Sequence, residues 1–267
     1  MNNLLEKVIT LAKSTAKHII TIYQQQDYHI TIKQDNSPVT IADQQAHNII
    51  KQGLQQLTPN IPLISEEAKT LAYSTRSNWH KYWLIDPLDG TKEFIEHTDE
   101  FTVNIALIEN HQPILGIVAA PATQEIYYAM RSEGAYWQLN NHNPKKITVK
   151  KNNDTLRITA SRRHGNQQKF HAFLAQLSMP YTLITCGSAL KLCLIAKGEA
   201  DLYLRFGDTS EWDTAAGQCI LETAGGSLLA LTDNKPLQYN TKPSLINPEF
   251  AAIGKFDWLA TIRNIIV

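Results

Sequence analysis

Two carboxylates and one hydroxyl stand close together after a short apolar segment of the chain. Residues 82–85 predict a buried strand that runs directly into Asp86, and Asp89 and Thr91 follow soon after it. Acidic and hydroxyl side chains at the end of a strand can bind a metal ion and a phosphate group. Surface turns use the same residue types, so other parts of the chain must decide between the two interpretations.

The residues between these groups predict how the strand ends. Pro87 has no N–H to donate to a neighbouring strand, so we expect the strand to stop at this point. Asp86 and Asp89 would then turn towards one site. Gly90 permits a tight turn, and a helix-like run begins at Lys92.

Two further acids occupy comparable places in the predicted elements. Glu66 follows an apolar strand over 61–64, and Asp213 opens a predicted helix. Carboxylates at the ends of elements can converge on one point. Oxygen ligands without a His or Cys cluster favour Mg²⁺ or Mn²⁺ over zinc. Two such ions can hold the attacking and leaving oxygens of a phosphate ester.

Each acid also has a simpler structural interpretation. Asp213 has the residue type and position of a helix N-cap. Asp43 follows Thr40 at the spacing of a capping box. Glu66 and Glu67 are also typical of charged residues on a solvated surface. The case for a metal site therefore depends on all the acids occurring together.

Two other motifs disagree with the spacing of Asp86 and Asp89. A calcium-binding EF-hand loop needs acids at alternate positions followed by Gly and Glu. A phosphatase with an aspartyl nucleophile needs its two Asp one residue apart, whereas two residues, one of them Pro, intervene here. Water rather than Asp is therefore the predicted nucleophile.

The composition is that of an ordinary globular protein and limits the class of partner. The 267 residues can form one large domain or two closely packed halves. Lys plus Arg and Asp plus Glu both number 25, so no overall field favours nucleic acid or a membrane surface. A small anionic ligand would need a local site.

The distribution of cysteines and apolar residues predicts a cytoplasmic protein. Cys186, Cys193 and Cys219 show no metal-binding spacing, and a sparse, odd set is typical of a reducing compartment. The N-terminus lacks a signal-peptide pattern, and no apolar run is long enough to span a bilayer. A protein bound peripherally to the cytoplasmic face of the inner membrane is also compatible with this prediction. The sequence gives no oligomeric state.

The first part of the chain predicts two helices followed by an antiparallel meander. The helices are expected over 4–22 and 40–57, and residues 68–80 form a polar, mobile connection. Alternating apolar residues then predict the strands of the meander at 101–108, 114–119, 125–130 and 134–139.

An Asn- and Lys-rich segment, 140–154, marks the only predicted boundary, and mixed α/β structure follows it. Strands are expected at 156–160, 181–185, 200–205, 227–231 and 251–254. Helices are expected at 167–177, 187–196, 213–223 and from 257 onwards. Gly225 and Gly226 have the composition of a helix C-cap.

Three segments together resemble the signature of a known enzyme superfamily. They are Ser-Glu-Glu at 65–67, Asp-Pro-Leu-Asp-Gly-Thr at 86–91 and Glu-Trp-Asp-Thr-Ala-Ala-Gly at 211–217. This pattern resembles the inositol monophosphatase-like superfamily of Mg²⁺-dependent, lithium-sensitive phosphatases. Further segments are similar to the bacterial CysQ-type 3'(2'),5'-bisphosphate nucleotidases: 35–40, 91–95, 101–106 and 187–191.

The resemblance implies a fold and a reaction. The fold is α+β, a five-layer αβαβα sandwich, with an N-terminal half over 1–150, a C-terminal half over 151–267 and the site between them. The reaction is hydrolysis of the 3'-phosphate of 3'-phosphoadenosine 5'-phosphate (PAP) to AMP and phosphate, linked to sulfur assimilation. The implied partner is thus a small nucleotide bisphosphate.

The resemblance also implies metal ligands at matching positions. Glu66, Asp86 and the carbonyl oxygen of Leu88 would hold one Mg²⁺. Asp86, Asp89 and Asp213 would hold a second Mg²⁺. A third, weaker ion near Glu66 occurs in relatives.

Thr91, paired with Asp43, would orient and deprotonate the attacking water. The Thr91 hydroxyl alone is too weak a base, so Asp43 must accept the proton. The amides of Gly90 and Thr91 would hold phosphate oxygens. The substrate-facing set on this side of the site comprises Glu66, Leu88, Asp89, Gly90, Thr91 and Asp213.

A bisphosphate substrate requires a second group of residues that binds an anion. The predicted residues for this role are Gly187, Ser188, Lys191, Arg205, Ser161 and Arg162. For Arg162 and Arg205, a solvated charge at a strand end is an equally good interpretation. Tyr203 and Phe206 are possible stacking partners for adenine, although aromatic residues on strands more often belong to the core.

Two other functions compete with the nucleotidase. An inositol or sugar monophosphatase would share the metal ligands, but Lys92, Lys191 and Arg205 favour the nucleotide. A non-catalytic, Mg²⁺-dependent nucleotide-binding regulator would need an incomplete site, whereas every predicted ligand is present here.

Overall fold

The computed structural model describes residues 3–25, 28–33, 37–69, 71–150, 154–162 and 166–254. Within them the helices are α1 (Asn3–Gln25), α2 (Ile41–Leu57), α3 (Tyr73–Arg76), α4 (Thr91–Ile95), α5 (Gln167–Ala175), α6 (Leu190–Lys197) and α7 (Glu211–Thr223). The helix expected from residue 257 and the Asp35-Asn36 part of the resemblance lie outside these residues.

The strands in the N-terminal part of the chain are β1 (Thr31–Ile32), β2 (Pro38–Val39), β3 (Leu63–Ser65), β4 (Lys81–Asp89), β5 (Thr102–Glu109), β6 (Gln112–Ala120), β7 (Glu125–Met130), β8 (Gly134–Leu139) and β9 (Lys145–Lys146). Those in the C-terminal part are β10 (Leu156–Ala160), β11 (Tyr181–Thr185), β12 (Leu202–Arg205), β13 (Ser227–Ala230) and β14 (Phe250–Ile253).

Two large sheets organise these elements into layers. One sheet has seven strands in the order β3-β4-β5-β6-β7-β8-β9, and the other has five in the order β11-β10-β12-β14-β13. Helices α1 and α2 cover the outer face of the first sheet, α6 and α7 lie between the sheets, and α5 covers the second sheet. This arrangement confirms the predicted αβαβα sandwich.

The packing of strand β4 explains why residues 82–85 are all apolar. Trp83 and Ile85 pack into the core formed with α1 and α2, whereas Tyr82 and Leu84 pack into the core formed with α6 and α7. Successive side chains of a strand point to opposite faces, so a strand covered on both sides needs apolar residues throughout.

Helix α7 is the central element of the sandwich, because it contacts both sheets. Gly116 on β6 lets the helix approach the first sheet closely. A Cβ at this position would lie 2.8 Å from Cβ of Cys219 and closer still to the carbonyl oxygen of Ala216. The helix ends in a Schellman motif, in which Gly226 N–H donates to Leu221 and Gly225 has φ of 96°.

Several other predictions are confirmed. Strands β5 to β8 form the expected antiparallel meander. All three cysteines are buried and unpaired. The described helices include none with the length and apolar character needed to cross a bilayer. The division into halves at residue 150 stays a prediction, although the last strand of the first sheet ends at Lys146 and the second sheet begins at Leu156.

The prediction of a mobile connection between residues 68 and 80 is wrong from residue 71 onwards. Helix α3 forms there, and Arg76 at its end is 1% exposed. Its guanidinium group donates to the side chain of Asn240 and to the carbonyl oxygens of Lys242 and Pro243. A polar composition cannot reveal such distant partners, which fix the segment to the C-terminal part of the chain.

The prediction that Pro87 ends the strand is also wrong. Strand β4 continues to Asp89, and its pairing with β5 shifts register between Asp86 and Asp89. Asp86 pairs with Asn104 and Asp89 pairs with Thr102, so β4 contains one extra residue at this point. Such a β-bulge leaves a residue unpaired, which accommodates a proline that lacks an N–H.

We expect Gly116→Ala to lower the free energy of unfolding by about 3 kcal/mol, because the added methyl group meets backbone and core atoms of α7 that cannot move independently. Urea denaturation measures the loss. Gly53→Ala is the matched control. There the added Cβ meets only the end of the Leu11 side chain, and alanine is the better helix former. Equal losses in both variants would contradict the proposed close packing.

Candidate active site

The bulge in β4 brings two acids to the same face of the sheet. In a regular strand, residues three apart point to opposite faces. One extra residue between Asp86 and Asp89 restores the same direction for both side chains. The predicted convergence of these two acids is therefore achieved by a bulge and not by the end of the strand.

Three carboxylates from different elements meet at this place. Glu66 follows β3, Asp86 lies in β4, and Asp213 lies in the first turn of α7. Their nearest oxygen atoms lie within 4.8 Å of one another. Asp213 is the third residue of its helix and accepts a hydrogen bond of 2.8 Å from the N–H of Ser210. Its interpretation as the N-cap is thus wrong, since Ser210 occupies that position.

Burial and mutual repulsion disfavour the ionised forms of these acids. Burial raises the pKa of Asp86 and of Asp213 well above the usual range, and the neighbouring carboxylates raise both further. The pKa of Glu66 is also raised, chiefly by burial. A group of buried carboxylates can be fully ionised only if a cation compensates the charge. Because all the donors are oxygen, the group fits Mg²⁺ or Mn²⁺.

A lysine that the sequence did not indicate already contacts this group. Lys33 donates to Glu66 over 2.9 Å and to Glu67 over 2.6 Å. It follows β1, far from the acids in sequence, so only the folded hairpin reveals the pairing. Glu66 and Glu67 are consequently partners in an ion pair and not freely solvated charges.

Thr91 and Asp43 form the predicted pair. The Thr91 hydroxyl donates to Oδ1 of Asp43 over 2.9 Å and lies 3.3 Å from the carbonyl oxygen of Leu88. Oδ2 of Asp43 accepts from the backbone N–H of Thr40 at 2.7 Å and from its hydroxyl at 2.6 Å. The capping-box interpretation of Asp43 is therefore confirmed, and the same carboxylate also contacts Thr91. Burial raises its pKa.

Gly90 permits the backbone turn between Asp89 and Thr91. Its φ of 93° is a left-handed conformation, and an added Cβ would lie 3.1 Å from the carbonyl oxygen of Glu100. Helix α4 starts directly afterwards at Thr91. Lys92 on this helix is exposed.

A cavity of about 240 Å³ opens beside the acids. Its lining includes these predicted site residues: Asp89, Asp213, Ser161, Arg162, Gly187, Ser188, Lys191, Tyr203 and Arg205. The predicted residues that do not line it are Asp43, Glu66, Asp86, Leu88, Gly90 and Thr91. Asp213 thus belongs both to the acidic group and to the lining of the cavity, and Asp89 lines the cavity with it.

Most cationic groups of the cavity are bound to backbone oxygens. Lys191 is 6% exposed and donates to the carbonyl oxygens of Ser188 over 2.6 Å and Cys186 over 3.3 Å. Arg205 donates to the carbonyl oxygen of Asp208 over 2.7 Å and lies 3.5 Å from the Ser161 hydroxyl. No carboxylate in the described part of the chain forms an ion pair with either side chain. Their charge is available to an anion.

Arg162 and the two aromatic residues considered for stacking differ from Lys191 and Arg205 in their contacts. Arg162 forms a two-point ion pair with Glu100, at 2.6 and 3.0 Å. Phe206 lies outside the cavity lining and faces Lys169, whereas Tyr203 contributes to the lining. Of the two aromatic residues considered for stacking, only Tyr203 lines the cavity.

Sequence reasoning assigned no role to Thr102 or Asn104, which lie in β5 opposite the two aspartates. Both are essentially fully buried, and Asn104 donates to Oδ2 of Asp89 over 3.2 Å. Two polar residues at alternate positions of an otherwise apolar strand are a signal that could have identified them.

Comparisons with known proteins identify the family of the chain. Residues 1–258 match the model of the inositol monophosphatase family. The chain is 44% identical over 248 residues to the 3'(2'),5'-bisphosphate nucleotidase CysQ of Salmonella typhimurium, covering 92% of this chain and 98% of that protein. It is 38% identical over 261 residues to the protein of the same name from Haemophilus influenzae, covering 96% and 95%.

A solved structure supports the same relationship. The crystal structure of CysQ from Bacteroides thetaiotaomicron superimposes with a TM-score of 0.83 at 36% sequence identity, covering 95% of this chain and 97% of that one. The chain belongs to the inositol monophosphatase family.

Proposed function

We propose that the protein is a Mg²⁺-dependent 3'(2'),5'-bisphosphate nucleotidase that hydrolyses the 3'-phosphate of PAP to AMP and phosphate. The proposal rests on the acidic group, on the contact between Thr91 and Asp43, and on the cavity lined by Asp213 of the acidic group. Lys191 and Arg205 line this cavity, and neither forms an ion pair with a carboxylate of the described residues. The relatives that bear this name, at 38% and 44% identity, support the same activity.

The metal ligands of the proposal are protein oxygens. Glu66, Asp86 and the carbonyl oxygen of Leu88 would hold one Mg²⁺, and Asp86, Asp89 and Asp213 would hold a second, with a third ion near Glu66. Bound Mg²⁺ supplies charge for the phosphate oxygens and acidifies water. The raised pKa values of Asp86 and Asp213 support a cation at this place, since it would restore their ionised forms.

Thr91 and Asp43 would move the proton of the attacking water. The Thr91 proton points to Asp43 at 2.9 Å, which leaves the oxygen lone pairs of Thr91 for a water proton. As the water oxygen attacks phosphorus, Thr91 accepts its proton and passes its own to Asp43. The bond between phosphorus and the ribose 3'-oxygen breaks, and this oxygen leaves as the 3'-hydroxyl of AMP after taking a proton from solvent water. The raised pKa of Asp43, which results from burial, suits a proton acceptor.

The cavity would receive the second phosphate and the nucleoside. Lys191 and Arg205 present positive charge, and Gly187 and Ser188 form the loop between them and Asp89. Tyr203 is the remaining candidate for an adenine contact. A monophosphate would leave Lys191 and Arg205 without an anionic partner, which is why we favour a bisphosphate substrate. We further propose that the enzyme serves sulfur assimilation in the cytoplasm.

A substrate panel tests the activity directly. With Mg²⁺ we expect phosphate release from PAP to be more than about tenfold faster, as kcat/KM, than release from inositol 1-phosphate, because only PAP can engage both sides of the site. Lithium and EDTA should each suppress the reaction. No turnover of PAP at any Mg²⁺ concentration, or faster hydrolysis of the inositol ester, would refute the proposal.

Thr91→Val removes the hydroxyl and keeps the shape of the side chain. We expect kcat to fall by roughly 10² to 10⁴, the range for loss of general base catalysis, with KM nearly unchanged. Steady-state kinetics on PAP measures the change. Thr98→Val, the same substitution just beyond α4, is the control and should keep wild-type kcat. Unchanged kcat in the Thr91 variant would remove Thr91 from the proton path.

Asp213→Asn should change activity and stability in opposite directions. Turnover should fall more than about 100-fold, because the site loses a charged ligand. The metal-free protein should instead melt at a higher temperature, since one buried negative charge is removed from the acidic group. Calorimetry with EDTA measures this shift. The exposed Asp233→Asn is the control, and near wild-type turnover of the Asp213 variant would refute the metal assignment.

A further inference from the structure

A chain of hydrogen bonds crosses from Asp89 to the loop that contains Ser188. Asn104 donates to Oδ2 of Asp89 over 3.2 Å. The hydroxyl of Thr102 lies 2.9 Å from Oδ1 of Asn104, 3.5 Å from Asp89 and 2.6 Å from the hydroxyl of Ser188. Thr102 is fully buried, so its hydroxyl has only these protein partners to satisfy it.

The direction of the donors follows from the carboxylate. An ionised carboxylate only accepts, so the amide nitrogen of Asn104 must face Asp89 and its oxygen must face Thr102. The single proton of Thr102 then goes to Asn104. Ser188 consequently donates to Thr102. The orientation of the Ser188 side chain therefore depends on Thr102, a residue of the first sheet.

The loop around Ser188 is fixed to the N-terminal half by contacts at three consecutive residues. Gly187 packs so closely that an added Cβ would lie 2.8 Å from the carbonyl oxygen of Glu100. Ser188 has φ of 52°, a left-handed conformation that is unfavourable for a non-glycine residue. The N–H of Ala189 donates to Oδ2 of Asp89 over 2.7 Å.

The buried cation of the cavity depends on this loop. Lys191 donates to the carbonyl oxygens of Ser188 and Cys186, and its ammonium group lies 5.3 Å from the centre of the Tyr203 ring. A shift of Ser188 would therefore displace the charge that faces the second phosphate.

We propose that Thr102 is a positioning residue that makes the enzyme selective for a second phosphate group. It ties the loop 187–189 to the Asp89 side of the site and so aligns Lys191 with the acidic group at the distance that a bisphosphate requires. This inference rests on the proposed nucleotidase activity. It assigns a specificity role to a residue that contacts neither phosphate.

Thr102→Val tests the proposal on two substrates that differ by one phosphate. For PAP we expect KM to rise roughly three- to tenfold, the loss associated with one hydrogen bond. For adenosine 3'-monophosphate, which lacks the second phosphate, kcat/KM should change by less than about twofold. Equal losses on both substrates, or no loss on either, would overturn the proposal.

Binding of AMP supplies a readout that is independent of turnover. AMP retains the phosphate that the loop would contact, so its Kd in calorimetry should rise in the valine variant by the same factor as KM for PAP. Thr102→Ser retains the hydroxyl and should restore both values. An unchanged Kd for AMP, or no rescue by serine, would contradict the assigned role.

Ser188→Ala breaks the same contact from the loop and keeps the test valid if the valine variant does not fold. It should raise KM for PAP and Kd for AMP by at least the factor expected for Thr102→Val, and a smaller rise would contradict the assigned role. In the double variant the losses should not add, because both substitutions remove one interaction. Additive losses would overturn the inference. Failure of the wild-type protein to hydrolyse PAP would instead refute the proposed function.

Discussion

The acidic group formed by Glu66, Asp86 and Asp213 is the constraint on which the rest of the structure depends. Like charges in a buried place repel one another, so the fold must force these three side chains together. Two of them come from neighbouring strands of the first sheet, and the third arrives on α7. That helix can reach the sheet because Gly116 has no side chain. The close packing in the middle of the sandwich thus determines the geometry of the site.

The same local structure, a capping box at a helix N-terminus, holds an acid on each side of the site. Asp43 and Asp213 are each the third residue of a helix, and each accepts a hydrogen bond from the residue that caps the helix. In both cases Oδ2 holds the helix start. In Asp43 the other oxygen, Oδ1, contacts Thr91. Asp213 is held in the same way while its carboxylate also belongs to the acidic group. A residue with a structural explanation therefore also serves the proposed chemistry.

The sequence indicated which acids lie close together, but it did not indicate the backbone that brings them together. Asp86, Asp89 and Asp213 could be grouped because residue types at the ends of elements limit the possible chemistry. The bulge at Pro87 could not be foreseen, since a missing N–H is equally consistent with the end of a strand. Arg76 was missed for another reason. Its partners in the C-terminal part lie more than 160 positions away in the chain, and no pattern in the polar segment indicates that this arginine is buried.

Contacts across the site also qualify the predicted division into two halves. Ser188 and Thr102, Arg162 and Glu100 join the C-terminal part to the N-terminal part by polar contacts. Away from the site the joint consists mainly of apolar residues of α7 packed on the first sheet, and the contacts of Arg76 with the C-terminal part add polar links. A polar contact requires a defined distance and direction, whereas an apolar surface tolerates small shifts. The apolar joint therefore supplies the association of the two parts, and the polar contacts fix the alignment that a two-phosphate substrate requires.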